Sequence, residues 1–443
     1  MRLNNAYFVY TQDGNTVTGL PSQVELVIGA PDKPGSLFYG YTYNSPCNMK
    51  LGNFKSFRAW LSVLYIGKND NAGTIVSELD LSETSVSNLE GSITAGSVNI
   101  PVIAIGGTRG DATGILKLPS TITNITCNSF ELGYVTALSG PPSSVIHLGT
   151  NTQPITFTVS NNLVIGYAQF QTVNALGITN NAFPAGSIIR VGTPQNRATV
   201  GLGPTKTQGT TGLFGKGLGD MTLYASNVII GSGAAANNYH FFTNDFRDAT
   251  NFIWDVEGAF SVGENQADCM FVWLPQGTVT CSNFGLGQAD SSSYHYRSIL
   301  YLSNTVLNVK NAATVKEVGV ITNFIDGISS GLDIGSLLLD LQDPSVSTNP
   351  AYRDYGRMDL RFQKDPEYVN KPYWGLRLKG DARSLIQDLV TTNSTYVFQR
   401  LTWNTNGLSA KAQSRFGVHY TAFNNTTYVG VSPLVNGTLI LVR

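Results

Sequence analysis

Charge is scarce in this sequence. Asp, Glu, Lys and Arg make up 13% of the 443 residues, about half the roughly 25% of ordinary globular chains. Solvent-facing helices are built from such residues, so the shortage argues against a helical surface and for sheets and turns coated with neutral polar groups. The 28 basic and 29 acidic residues nearly cancel, and no Lys/Arg block occurs. Phosphate contacts need clustered positive charge, so nucleic acid is not an expected partner. Histidine is also rare. His147, His240, His295 and His419 form no H-E-x-x-H or other close pair, which argues against a catalytic zinc. Cys47, Cys127, Cys269 and Cys281 contain no C-x-x-C pair, so no local thiolate metal cluster is expected. They read as buried free thiols, with a Cys269–Cys281 bridge between neighbouring strands as the alternative.

Other signatures are missing too. No run of about 18 apolar residues occurs, so no transmembrane helix and no membrane insertion are expected. No apolar stretch follows Met1-Arg2-Leu3-Asn4-Asn5, so no signal peptide is expected. The sequons at Asn124, Asn393, Asn424, Asn425 and Asn436 are of the kind chance supplies in an Asn- and Thr-rich chain. A phosphate loop and a dinucleotide fingerprint are absent. Glu78, Asp80 and Asp111 lack EF-hand spacing. No cofactor and no metal are expected.

What the chain does contain is a large apolar fraction, 42%, and 46 glycines, enough for a sizeable core broken by many turns. Residues 1–75 read as a small β domain, dense in aromatics from Phe38 to Trp60. Over 76–344 short alternating segments are broken by a recurring phrase of strand, Asn turn and strand. It appears at Val86-Ser87-Asn88, Thr126-Cys127-Asn128, Val159-Ser160-Asn161, Ala225-Ser226-Asn227, Cys281-Ser282-Asn283, Leu302-Ser303-Asn304 and Ile321-Thr322-Asn323. Asn tolerates the left-handed region and suits tight corners. Asn283, Asn304 and Asn323 lie 21 and 19 residues apart, which suggests a rung of about 20 residues. The glycine-rich insert at 201–220 reads as an irregular loop. One short helix is expected over Asp381–Leu389 with Asp381 as its cap. Residues 345–443 read as a C-terminal β domain whose strand Gly437–Val442 seals the stack. The expected fold is all-β: a right-handed parallel β-helix, or solenoid, with small flanking β domains. The alternative is a multi-domain β-sandwich or jelly roll.

Acids and aromatics concentrate at 240–300. On a strand, Asp255 and Glu257 share one face about 6.6 Å apart by rise. Inverting glycoside hydrolysis needs two carboxyls about 6.5–9.5 Å apart. Phe252, Trp254 and Val256 would then form the core stripe. Asp245 or Asp248 facing Asp268 from another rung is an equivalent acid pair. Trp273, Tyr294, His295, Tyr296 and Arg297 are candidates for sugar binding, since aromatic faces stack on apolar sugar faces and polar groups bond hydroxyls. Arg109-Gly110-Asp111 spells a cell-adhesion tripeptide in a turn after Gly106-Gly107.

The Val159-Ser160-Asn161 and Leu302-Ser303-Asn304 turns, the low charge, the glycine-rich insert and the missing signal peptide together resemble phage tailspike and tail-fibre receptor-binding proteins. The resemblance covers about residues 76–340. It implies a homotrimer on the virion surface, with 1–75 contacting other virion proteins and 345–443 trimerising or forming the tip. It implies attachment to host cell-surface carbohydrate. Two alternatives stay open: a tailspike glycosidase or lyase using the acid pair, and a structural capsid, decoration or shell protein without catalysis.

Overall fold

A computed structural model describes residues 2–3, 6–8, 25–39, 47–50, 56–67, 75–82, 89–108, 112–135, 144–148, 153–166, 168–173, 179–180, 182–203, 210–231, 240–263, 268–287, 298–316, 319–339, 356–392 and 399–434. Among these the protein is all-β, with 36 strands and two short helices. Every strand pair is parallel except three. The chain passes repeatedly between a 19-stranded sheet and an opposite side. That side holds a six-stranded sheet and then a seven-stranded one, which meet where Ala168–Val173 packs against Thr210–Phe214.

Parallel pairing sets each pass in register on the one before. Asp220–Ala225 pairs with Asn251–Val256, and Ile253–Asp255 with Thr278–Thr280. Within the large sheet the Asn phrase marks a real feature of these passes, a bend with a shift of register at Asn128, Asn161 and Asn227. There the backbone N–H groups of Gly258, Ser282 and Asn311 donate to the carbonyls of Ser226, Gly258 and Ser282. The period differs from the expected 20. Bonded partners at this bend are 33 residues apart for Asn162 and Ser129, 28 for Ser226 and Ala198, and 25 for Ser282 and Glu257. Loops of unequal length join the passes, so sequence spacing blurs a regular stack.

The three Asn residues that suggested 20 are not equivalent. Asn304 is a true corner at φ 54°, its amide oxygen accepting the Asp326 N–H. Asn323 lies inside the unbroken strand Gly319–Asp326, fully buried, its amide donating to the carbonyls of Ser330 and Gly375.

The glycine-rich insert is largely strand where it is described: Ala198–Leu202, Thr210–Phe214 and Leu218–Ile230. Its glycines serve the turns between them. Gly215 and Gly217 have φ of 104° and 87°, and a Cβ at Gly217 would lie 2.2 Å from the Phe183 carbonyl oxygen. Parallel pairing runs through both expected domain boundaries. Leu61–Ile66 pairs with Val102–Thr108, and Gly331–Leu339 with Tyr373–Lys379.

The stack ends where pairing turns antiparallel. Tyr373–Lys379 joins Thr426–Val431, which pairs with Phe416–Thr421. The helix Arg383–Val390 buries Ile386 and Leu389 beside Leu401–Asn404 and Phe416–Thr421. This hairpin and helix close the apolar end; Gly437–Val442 lies outside the described residues. Asp381 does not occupy the N-cap position, which is Ala382. Its carboxylate instead accepts the Arg383 backbone N–H at 3.3 Å and the Arg383 guanidinium at 2.9 and 2.7 Å.

Alternation places Phe252, Trp254 and Val256 inside, at 1%, 0% and 0% exposure. Passes stacked in register make this stripe a column. Phe183, Phe214, Phe246, Trp254, Phe260 and Phe284 follow one another with ring centroids 5.3–5.9 Å apart. Cys127 and Cys281 are free buried thiols, pushed up to about 12 by burial, so Cys281 is not bridged to Cys269. Trp254→Ala empties the centre of the aromatic column. We expect a loss of about 3–5 kcal/mol, read as a lower urea midpoint at unchanged slope. An unchanged midpoint would show that the column does not carry the core.

Candidate functional site

The outer face of the seven-stranded sheet carries a line of aromatic rings. Met270, Val272 and Leu274 turn inward, so Phe271 and Trp273 turn outward. Parallel register then sets Asp245, Trp273 and Tyr301 on one line across neighbouring strands. Strand spacing is about 4.8 Å, and the flat rings close it further. Trp273 and Tyr301 stack with centroids 3.6 Å apart and planes 12° from parallel. Phe324 follows at 6.3 Å.

A cation covers each end of the line. The Arg247 guanidinium sits 4.5 Å from the Trp273 ring and that of Arg361 sits 5.4 Å from Phe324. Arg247 is held by a two-pronged bond to Asp245 at 2.8 and 2.7 Å, and Arg361 by Asp359 at 2.6 Å. Burial pushes the Asp245 carboxyl up. Hydrogen bonds from the Arg247 side chain and backbone, with the charges of Arg247 and Lys216, outweigh burial and hold it below its ordinary 3.8. Both faces of Trp273 are therefore occupied, one by Arg247 and one by Tyr301, and a sugar can reach only its edge.

The acids divide. Asp255 and Glu257 do come together, and Arg197 from an earlier pass sits between them, 3.0 Å from Asp255 Oδ2 and 3.7 Å from Glu257 Oε2. Arg197 also donates to the Asp255 carbonyl at 2.7 Å. Sequence reasoning missed this arginine, which is 58 residues from Asp255. Asp245 and Asp268 are not brought together. Asp245 pairs with Trp273 and Asp268 with His240, five residues further along the strands, or about 16 Å. Asp248 is used elsewhere, accepting the Gly217 N–H at 2.9 Å. Tyr294, His295, Tyr296, Arg297 and the Arg109-Gly110-Asp111 turn lie outside the described residues.

A cleft of about 360 Å³ opens near the capped end of the stack, within the range of about 300–1,000 Å³ common for small-ligand sites. Three segments build it: the turn after Gly319–Asp326, the loop after Arg357–Lys364, and the strand Tyr373–Lys379. Short bonds fix them to each other. The Tyr373 hydroxyl accepts the Gly327 N–H at 3.0 Å and donates to the Lys364 carbonyl at 2.9 Å. Burial pushes that phenol far up, so it stays neutral. The Ser329 hydroxyl donates to the Pro372 carbonyl at 2.8 Å and accepts the Trp374 N–H at 3.4 Å. Trp374 is 6% exposed, whereas Tyr368 is 55% exposed, a large apolar surface left in water. Tyr368, Tyr373 and Trp374 are visible in the sequence only as aromatics of a C-terminal region. The one local signal is the flanking of Tyr368 by Pro366 and Pro372, which stiffens the loop.

Comparison with family models, curated proteins and solved structures finds no match for this chain.

The clamp on Trp273 should show in acid. Asp245 is depressed in the folded state, so its contribution is complete above pH 3.8 and is lost as pH falls through the lower folded value. Asp245→Asn should therefore lower the urea midpoint near pH 6, and the gap from the parent should shrink as pH drops below the ordinary carboxylate range. A gap that is constant with pH would assign the effect to packing alone.

Proposed function

We propose that this protein is a right-handed parallel β-helix acting as a virus-particle attachment protein that binds host cell-surface carbohydrate. In this reading it is a homotrimer, with residues 1–75 facing the particle. One observation carries the binding reading: an exposed tyrosine beside a small rigid cleft at the end of a long stack of strands. Sugars present a flat apolar face and a rim of hydroxyls. Tyr368 supplies a surface for the first, and Ser329 with the flanking main chain supplies partners for the second. The segments are already bonded together, so little ordering cost falls on binding. The low charge and the resemblance to tailspike and tail-fibre proteins point the same way.

Binding is preferred to cleavage because of Arg197. A glycosidase pair needs one protonated carboxyl and room for water between the two. The Arg197 guanidinium, 3.0 Å from Asp255 and 3.7 Å from Glu257, takes the space between them where that water would sit. A glycan array probed with the full chain should show a limited set of retained glycans and no release of reducing ends. Tyr368→Ala should weaken retention about tenfold, or about 1.4 kcal/mol, and light scattering should give three times the chain mass. No retention of any glycan by a correctly assembled chain would transfer the case to the shell-protein reading.

A further inference from the structure

The cleft carries a charge signature that a neutral sugar does not need. Lys371 and Arg377 line it, and no acidic side chain is among its lining residues. The two cations stand over two of its three aromatic rings. Lys371 Nζ lies 5.1 Å from the Tyr368 ring centre, and the Arg377 guanidinium lies 4.8 Å from that of Trp374.

Their partners differ. Arg377 pairs with Asp333 on the adjoining strand through Nε, at 2.8 Å, and Nη2. Its Nη1 has no hydrogen-bond partner among the described residues. Lys371 is exposed and forms no ion pair with any described carboxylate. Acids do stand nearby. Asp326, Asp365 and Glu367 act on the Tyr373 hydroxyl, the Glu367 backbone N–H is bonded to the Gly327 carbonyl, and the Glu367 side chain lies against Gly327. None of the three lines the cleft. Among the described residues the cleft therefore combines one exposed ring face, the Ser329 hydroxyl, an ammonium outside any ion pair and a guanidinium edge without a hydrogen-bond partner.

We infer that the cleft of Ser329, Tyr368, Lys371, Trp374 and Arg377 selects a sugar bearing a carboxylate. The pyranose lies against Tyr368, and its carboxylate meets Lys371 and Nη1 of Arg377. A carboxylate is flat and accepts from both directions, which suits one point charge and one guanidinium edge. Ile328 closes the apolar side. This inference rests on the saccharide-binding reading and narrows it to an acidic sugar, whether the sugar comes from a microbial capsule or an animal glycan.

The test uses the methyl glycosides of glucuronic, galacturonic and N-acetylneuraminic acid, each beside its own carboxyl methyl ester. Acid and ester differ by the negative charge and one methyl group. Dissociation constants come from ligand-observed NMR on the full chain, and thermal melting verifies the fold of each variant. At least one acid should bind ten times more tightly than its ester, and the preference should fall as salt rises. Lys371→Gln should abolish the preference by weakening the acid far more than its ester, while Tyr368→Ala should weaken acid and ester alike. Equal binding of every acid and ester, still sensitive to Tyr368→Ala, would overturn the charge inference and leave the saccharide reading standing. Failure of every sugar to bind would overturn both.

Discussion

The in-register parallel hydrogen-bond ladder between successive passes of the chain is the constraint from which the rest follows. Each backbone group that pairs with the next pass fixes that pass in translation as well as in orientation. Side chains then fall on lines, inside and outside. Indoors the lines bring Phe214, Phe246, Trp254 and Phe260 into one column. Outdoors they bring Arg247, Trp273, Tyr301, Phe324 and Arg361 into another. The same rule aligns the Gly258, Ser282 and Asn311 bend, where main-chain bonds pass from one layer to the next.

A ladder of this kind has no internal reason to stop, so its end is a separate structural problem. Here the change from parallel to antiparallel pairing, with the helix Arg383–Val390 laid across it, closes the apolar column. The ending also generates the cleft. The turn at Gly327 and the loop carrying Tyr368 project where the regular stack gives way to the cap, and Tyr373 and Ser329 bond them to the last regular strands. The outer aromatic line is a different kind of object. Its rings cover one another and its ends are covered by arginines, so it stiffens a face and leaves little ring surface for a ligand.

Part of this was legible from local pattern. Asp255 with Phe252, Trp254 and Val256 obeys strand alternation, and the structure places acid and core stripe on opposite faces as the pattern requires. Asn304 needs a corner and has one. Other parts had no local signature. Asn323 shares the same three-residue phrase yet lies buried in a strand, because the Ser330 and Gly375 carbonyls need a donor there. The glycines at 215 and 217 look like a loop by composition but serve one tight turn between the strands Thr210–Phe214 and Leu218–Ile230. Arg197 gave no warning of its role and Tyr368 only the prolines beside it, since their partners are remote in sequence or arise from the way three segments converge.

The sequence by itself determined that the chain is β-rich, which residues of each strand face the core and where several turns fall. These depend on neighbours one to four residues away, through alternation and backbone preference. Tertiary structure alone decided the rung length, the pairing of Arg197 with both Asp255 and Glu257, the covering of Trp273 and the cleft at Tyr368. Each depends on which pass lies next to which, and loops of unequal length between passes remove that information from sequence spacing.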